Sequence, residues 1–395
     1  MKHQIGTTAS LLTLLALVLG MGACTTLPKP DAIPPVVTPA IPPVKPATPS
    51  LQASNWGALP GWQDDNPAPA WEAFLQGCNG LKNQLQWQQV CKKGLSLQQA
   101  DASGLREFFE QNFIPYQLNN PDGTSSGLIT GYYEPLLKGS LTHSSKYRYP
   151  LYAAPEDMLT IDLSSVYPEL KGMRLRGRLQ GNKVIPYFSR TDIENGLAPL
   201  KGKEIVWVDN AIDLFFLQVQ GSGRIKLENG DTIRVGYHDQ NGYPYKSIGK
   251  VLVERGDIPL EKASLQGIKD WARKYPGKVA ELLNNNPSYV FFREMPNNQN
   301  GPLGALGIPL TAGRSLAVDP RAIPLGAPVF LATTWPNSDK PLNRLMLAQD
   351  TGGAIKGGVR GDFYWGFGND AGALAGGMRQ KGQIWVLLPK DYPVP

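Results

Sequence analysis

The spacing of apolar and polar positions changes character several times along the chain. From Trp56 to Phe113 apolar residues recur every three or four positions. Trp71, Phe74, Leu75, Cys78 and Leu81 fall on one helical stripe, and Trp87 and Cys91 fall on the next. From about Leu128 to Tyr245 the pattern shifts to short β-rich runs, EIVWVDN, FFLQVQGSGRIKL and DTIRVGYH, separated by glycine turns. Asn229-Gly230, between two such runs, predicts a hairpin. Helical spacing returns in GIKDWARKYPGKVAELLNN, and a second β-rich block carries VFLATTW, RLMLAQ and QIWVLLP. The pattern predicts a mainly β chain of the α+β class: a helical N-terminal part, one β-domain, a short helical link and a second β-domain. Within FFLQVQ, read as a strand, Gln218 and Gln220 alternate with apolar neighbours and point to one face.

The first 49 residues follow different rules. Leu11 to Leu19 form an apolar run broken only by Thr13. That is shorter than the ~20 residues of a membrane span and suits a secretory leader, with Lys2 as its positive start. Met21-Gly22-Ala23-Cys24 resembles a bacterial lipobox, which implies cleavage before Cys24 and acylation of its thiol. Thr25, where an Asp would retain a lipoprotein in the inner membrane, favours the outer membrane. The alternative is plain secretion with an incidental cysteine. Pro28 to Pro49 holds nine prolines, which exclude helix and sheet there. In polyproline II at about 3.1 Å per residue, such a linker reaches up to ~70 Å.

Composition narrows the chemistry. The mature chain keeps only His143 and His238, too little for a histidine metal site or a Ser-His-Asp triad. No metal or organic cofactor is called for, and any catalysis has to come from carboxylates. Cys78 and Cys91 fit either a bridge between two helices or two buried thiols. A net charge of +6 suits an acidic partner. Because Lys and Arg are scattered, the expectation is a cell-wall polymer and not nucleic acid.

The segment QDTGGAIKGGVRGDFYWG, Gln349 to Gly366, contains Asp350, Lys356 and Asp362. RLMLAQ ends at Asp350, and ten glycines fall between Gly352 and Gly377. Glycine permits close backbone approach to a ligand. Phe363, Tyr364 and Trp365 follow Asp362, and apolar rings beside a carboxyl disfavour its charged form, as a proton donor requires. An Asp-Gly turn without function is the bland alternative. LITGYYEP supplies Thr130, Tyr132 and Tyr133, which with Gln218, Gln220 and Lys356 are candidate substrate contacts: rings and amides suit sugars.

GYYEP, PYFSR, FFLQVQGSGR, VGYHDQNGYPY, NPSYVFFRE, GALGIPLTAGRSLAVDP and AQDTGGAIKGGVRGDFYWG together resemble the membrane-bound lytic murein transglycosylase A family, including its three-aspartate (3D) domain, with Asp319, Asp350 and Asp362 as the three. The resemblance implies a double-psi β-barrel domain with a second, smaller β-barrel inserted and a groove between them. Mapped onto this chain, it places a signal peptide at 1–23, a lipidated linker at 24–55, the catalytic barrel at 56–135 with 287–395, and the insert at 136–286. It further implies periplasmic cleavage of the β-1,4 bond between N-acetylmuramic acid and N-acetylglucosamine, with Asp362 as sole acid and base and Asp350 in support. Its partners would be peptidoglycan strands, the outer membrane through the lipid anchor, and cell-wall synthesis or hydrolysis complexes. Two rivals remain: a hydrolytic muramidase or endoglucanase using water held by Asp350, and a wall-binding lipoprotein without catalysis.

Overall fold

The computed structural model of the protein describes residues 48–97, 100–297 and 301–393. Cys24, the leader and the Pro-rich stretch up to residue 47 lie outside them. The chain opens with β1 (Ser50–Ala53), then α1 (Ala68–Gly80), α2 (Leu85–Ser96), α3 (Ala102–Asn112), β2 (Phe113–Asn119) and β3 (Gly127–Glu134). The middle third contributes β4 (Leu136–Ser140), β5 (Tyr149–Tyr152), β6 (Leu159–Thr160), β7 (Arg176–Gln180), β8 (Lys183–Pro186), α4 (Arg190–Glu194) and β9 (Glu204–Val208). It continues with α5 (Ala211–Gln220), β10 (Ser222–Leu227), β11 (Thr232–Gln240), α6 (Ile248–Glu254), α7 (Leu265–Lys274), α8 (Val279–Asn284) and β12 (Val290–Met295). The last part holds β13 (Ser315–Val318), β14 (Pro328–Thr334), β15 (Pro341–Asp350), β16 (Arg360–Phe367), α9 (Gly368–Gly377) and β17 (Arg379–Pro389).

Sheets dominate this mixed α/β architecture. The larger sheet runs β1-β2-β17-β14-β15-β13-β16-β3, and β3 pairs again with β17. β2 and β3 follow one another along the same strand: Phe113–Gln117 lies opposite Pro389–Trp385, and Gly127–Thr130 opposite Gly382–Arg379. The sheet therefore closes through six strands, β17, β14, β15, β13, β16 and β3. Closure removes the free edges that an open sheet would expose. Ile129, Leu316, Val329, Leu347, Phe363 and Val386, one from each of these strands, belong to one buried cluster. Burying each such side chain is worth about 1.5–3 kcal/mol.

The N-terminal helices pack against this closed sheet. Cys78 on α1 and Cys91 on α2 are joined as a disulfide. Asp65, just ahead of α1, takes a two-pronged ion pair from buried Arg314 at 3.0 Å on each prong. β1 shortens the expected linker: Ser50–Ala53 pairs with Asn119–Tyr116 inside the span to residue 55 that was read as linker. Its only proline neighbour, Pro49, lies at the strand's start, where the missing N–H costs no ladder bond.

The second sheet has the order β12-β11-β10-β4-β9-β5, and a single bridge, Ala153 to Phe292, links its two edges. A three-stranded sheet, β6-β7-β8, sits beside it in sequence. β12 belongs to this sheet through its pairing with β11, so the insert's sheet extends past the expected boundary at Asn286. The hairpin at Asn229-Gly230 joins β10 to β11. Among the described residues, no helix is long and apolar enough to cross a membrane.

FFLQVQ is a helix, not the strand its alternation predicted. α5 is capped by Asn210, whose side chain accepts the Ile212 and Asp213 N–H groups, and is stopped by Gly221 at φ 79°. Leu214 and Leu217 pack against the six-stranded sheet, while Ile212 and Phe215 pack against α6, α7 and α8. A helix buried on two sides has few polar positions left to mark its period. That is why its residues read as a strand.

Candidate active site

Four neighbouring strands bring the predicted acids onto one face. Ala317 on β13 lies opposite Asp350 on β15 and opposite Asp362 on β16. On the other side of β16, Asp362 is in register with Thr130 and Tyr364 with Tyr132, both on β3. Strand side chains alternate, so these residues share a face while Phe363 enters the barrel core. Two strand spacings separate the acids, roughly 10 Å between their Cα atoms. Tyr132, Ala317, Tyr364 and Leu310 form the apolar floor between them. Asp362 thus sits in a strand, not in a soft glycine loop. Of the three rings that follow it, only Tyr364 stays on its side. The ten glycines divide among the loop after β15, β16 itself and α9.

Asp362 is half-buried, and burial pushes its pKa up from 3.8 to about 6. The Thr130 hydroxyl donates to its Oδ1 at 2.6 Å and opposes that rise, as does nearby Arg360, while Asp350 adds to it. Arg360 also donates to Thr130 Oγ1 at 2.9 Å, so the hydroxyl's one proton is committed to Asp362. Arg360 was not among the sequence candidates; only the strand register reveals its part.

Asp350 is raised too, again chiefly by burial, against the pull of three donors. The N–H groups of Ala305 and Thr351 reach Oδ1 at 2.9 Å each, and Tyr132 Oη donates to Oδ2 at 3.0 Å. The Ala305 loop can come so close because Gly304 has no side chain: a Cβ there would stand 2.5 Å from the Gln349 carbonyl oxygen. Burial and the two acids hold the Tyr132 phenol well above its usual range, so it remains a donor. Gln349, next to Asp350, is fixed by the Ala73 carbonyl of α1 at 2.8 Å and by the Ser315 hydroxyl.

Asp350 borders a cavity of about 570 Å³ whose walls come from the closed sheet, the loop around Gly304 and the insert. Tyr132, Gln218 and Gln220 line it; Asp362, Thr130, Tyr133 and Lys356 do not. Gln218 and Gln220 are two positions apart on a helix and so diverge, contrary to the shared strand face expected of them. Gln218 is buried and accepts from Arg190 at 2.5 Å, while Gln220 accepts the Tyr133 N–H at 3.0 Å. Tyr133 faces away from the acids, with its ring against Gly372 of α9. Lys356 is exposed and makes no ion pair with Asp350. Asp319 lies apart as a loop clamp: burial raises its pKa, but Arg321 and the Gly357 N–H hold it down at about 2. Among the described residues no cluster of His, Cys, Asp and Glu could hold a metal ion.

The two sheets meet at Glu134, the last residue of β3. It is buried and accepts from Arg224 of β10 at 3.0 Å and Arg234 of β11 at 3.3 Å. This junction fixes the insert's wall relative to the strand that carries Thr130 and Tyr132.

Known proteins resemble this chain in sequence and in fold. A family profile described as the MltA specific insert domain matches residues 128–293, and one described as the 3D domain matches residues 314–388. The membrane-bound lytic murein transglycosylase A of Vibrio cholerae is 34% identical over 304 residues, covering 75% of this chain and 74% of that protein. A crystal structure of MltA from Neisseria gonorrhoeae superposes with a TM-score of 0.76 at 37% identity, covering 88% of this chain and 98% of that one. Escherichia coli MltA with bound chitohexaose superposes with a TM-score of 0.64 at 27% identity, covering 88% and 95%. The chain belongs to the membrane-bound lytic murein transglycosylase A family.

Proposed function

We propose that the protein is a lytic transglycosylase that cuts the β-1,4 bond between N-acetylmuramic acid and N-acetylglucosamine in peptidoglycan, leaving 1,6-anhydro ends. Family membership supports the activity, and the E. coli relative's chitohexaose supports a glycan as the occupant of the cleft. The observation that carries the mechanism is the pair of half-buried carboxyls flanking Ala317: Asp362, held by the Thr130 hydroxyl with Arg360 beside it, and Asp350, held by Tyr132 and two backbone N–H groups.

Asp362, with a pKa of about 6, is protonated in a substantial fraction of molecules on the acid side of neutrality. It gives its proton to the glycosidic oxygen as positive charge develops at C1. The resulting carboxylate then accepts the proton of the C6 hydroxyl, which attacks C1 and closes the anhydro ring. Because the nucleophile belongs to the same sugar, its effective concentration is very high and no second carboxylate has to activate water. Thr130 and Arg360 aim the carboxyl, and Asp350 with Tyr132 supplies a polar wall that steadies the oxocarbenium-like state.

The closed six-stranded sheet is assigned as a double-psi barrel, and the region from β4 through β12 as its inserted barrel. Cys24 is assigned as the lipid anchor to the inner leaflet of the outer membrane, placing the enzyme in the periplasm beside its polymer, in contact with other wall enzymes. The test is mass spectrometry of fragments released from purified sacculi. Ends lighter by one water than reducing ends are expected. Reducing ends alone would mean that water held near Asp350 is the nucleophile, and co-sedimentation without release would mean a binding protein.

A further inference from the structure

The insert's side of the cavity is rich in arginine. Arg174, Arg190, Arg234 and Arg293 line it, against the two carboxyls Glu134 and Asp350. Arg234 is committed to Glu134, and Arg190 to Glu194 at 3.5 Å. Arg174 and Arg293 are exposed and belong to no ion pair among the described residues. Arg174 lies over the Tyr237 ring, 5.6 Å from its centre, and Tyr237 is itself part of the cavity wall. Lys356, the cation that the sequence offers beside the acids, has no part in this wall.

In a strand of alternating muramic acid and glucosamine, every second sugar carries an acid on its 3-O-lactyl ether. We propose that Arg174 and Arg293 form a carboxylate subsite for that group, either the lactyl carboxylate itself or the carboxylates of a stem peptide attached through it. This rests on the functional reading above and names the part of the substrate that sets register. A groove that recognises only rings and N-acetyl groups would accept both kinds of linkage. Two guanidiniums on one wall favour the frame in which the acidic sugar faces them, and that frame biases which bond meets Asp362. Guanidinium matches carboxylate through paired N–H donors. Because both side chains are solvent-exposed, the gain is modest and salt-sensitive.

The test measures binding to the Asp362→Asn protein, so that nothing is cleaved, with and without Arg174→Gln and Arg293→Gln, at low and high salt. The probes are a neutral β-1,4 N-acetylglucosamine hexamer, peptide-free murein strands, and stem-bearing strands with free or amidated peptide carboxylates. The double substitution should weaken binding of the anionic strands about three- to thirtyfold and flatten their salt dependence. Hexamer affinity should stay within about twofold, which also shows that the variant is folded. Weakening on peptide-free strands assigns the lactyl group, and weakening only where stem carboxylates are free assigns the peptide. Equal loss for the hexamer, or no loss on any anionic strand, overturns the subsite while leaving the functional reading intact. Failure of the Asp362→Asn parent to bind any of the glycans would overturn both.

Discussion

Replacing Asp362 by Asn should make the folded protein more stable as it removes activity, and the size of the effect follows from the site. The carboxyl's pKa is about 6 in the folded chain, against an ordinary 3.8. Between those values the folded state holds a proton that the unfolded chain gives up, so stability falls as pH rises through this window. At 1.36 kcal/mol per pH unit, the cost of the ionised Asp362 reaches about 3 kcal/mol at pH 7 and is absent below pH 3.8. Asn has no charge to desolvate, and its Oδ1 can still accept the Thr130 hydroxyl that now reaches Asp362 at 2.6 Å. The difference in Tm between variant and wild type should therefore grow by roughly 5 °C between pH 4 and pH 7.5 and then level off. Thermal melts followed by circular dichroism over that range measure it, and the subtraction cancels the titrating groups that are not coupled to Asp362 as Asp350 is. A difference that does not change with pH, or one that moves against the variant as pH rises, would refute the claim that burial of Asp362 keeps it protonated.

Other expectations are independent of that one. Thr130→Val removes the donor that partly restrains the Asp362 pKa, so the pH–rate limb should move to higher pH while kcat falls about tenfold or more; an unmoved limb would place Thr130 outside the network. Glu134→Ala removes the buried carboxylate shared by Arg224 and Arg234 and should cost about 3–5 kcal/mol in urea unfolding, with loss of activity because the cavity wall shifts. Cys78→Ser should lower stability by about 3 kcal/mol under oxidising conditions and by nothing under strong reductant. Lys356→Ala should leave turnover within about twofold, since the side chain is exposed and makes no ion pair with Asp350.

The sequence revealed chemistry better than geometry. RLMLAQ, ending at Asp350, read correctly as a strand because it is a short apolar run, as suits its buried place between β13 and β14, and Asn229-Gly230 marked the hairpin of β10 and β11. α5 was misread because burial on both sides erased its period, which in turn misplaced Gln218 and Gln220. Tyr133 was chosen with Tyr132 because both are rings, yet adjacent strand residues face opposite sides and only one meets the acids. The roles of Thr130 and Arg360 depend on β3 lying beside β16, a pairing across more than half of the described chain that no local signal encodes. Arg174 lies outside the quoted motifs and Arg293 within NPSYVFFRE, and only the cavity brings them together. The assignment of 3D-type aspartates came from resemblance, and the structure separates their surroundings: Asp319 clamps a loop, while Asp350 and Asp362 share the face.

The most direct measurement is the rate at which Asp362→Asn and Asp350→Asn release anhydro-ended fragments from purified sacculi at pH 5.5. The expected result is no detectable release by Asp362→Asn, which still pellets with the sacculi, and a reduced but measurable rate for Asp350→Asn. Anhydro ends formed by Asp362→Asn at a rate near wild type would show that the proton comes from another group.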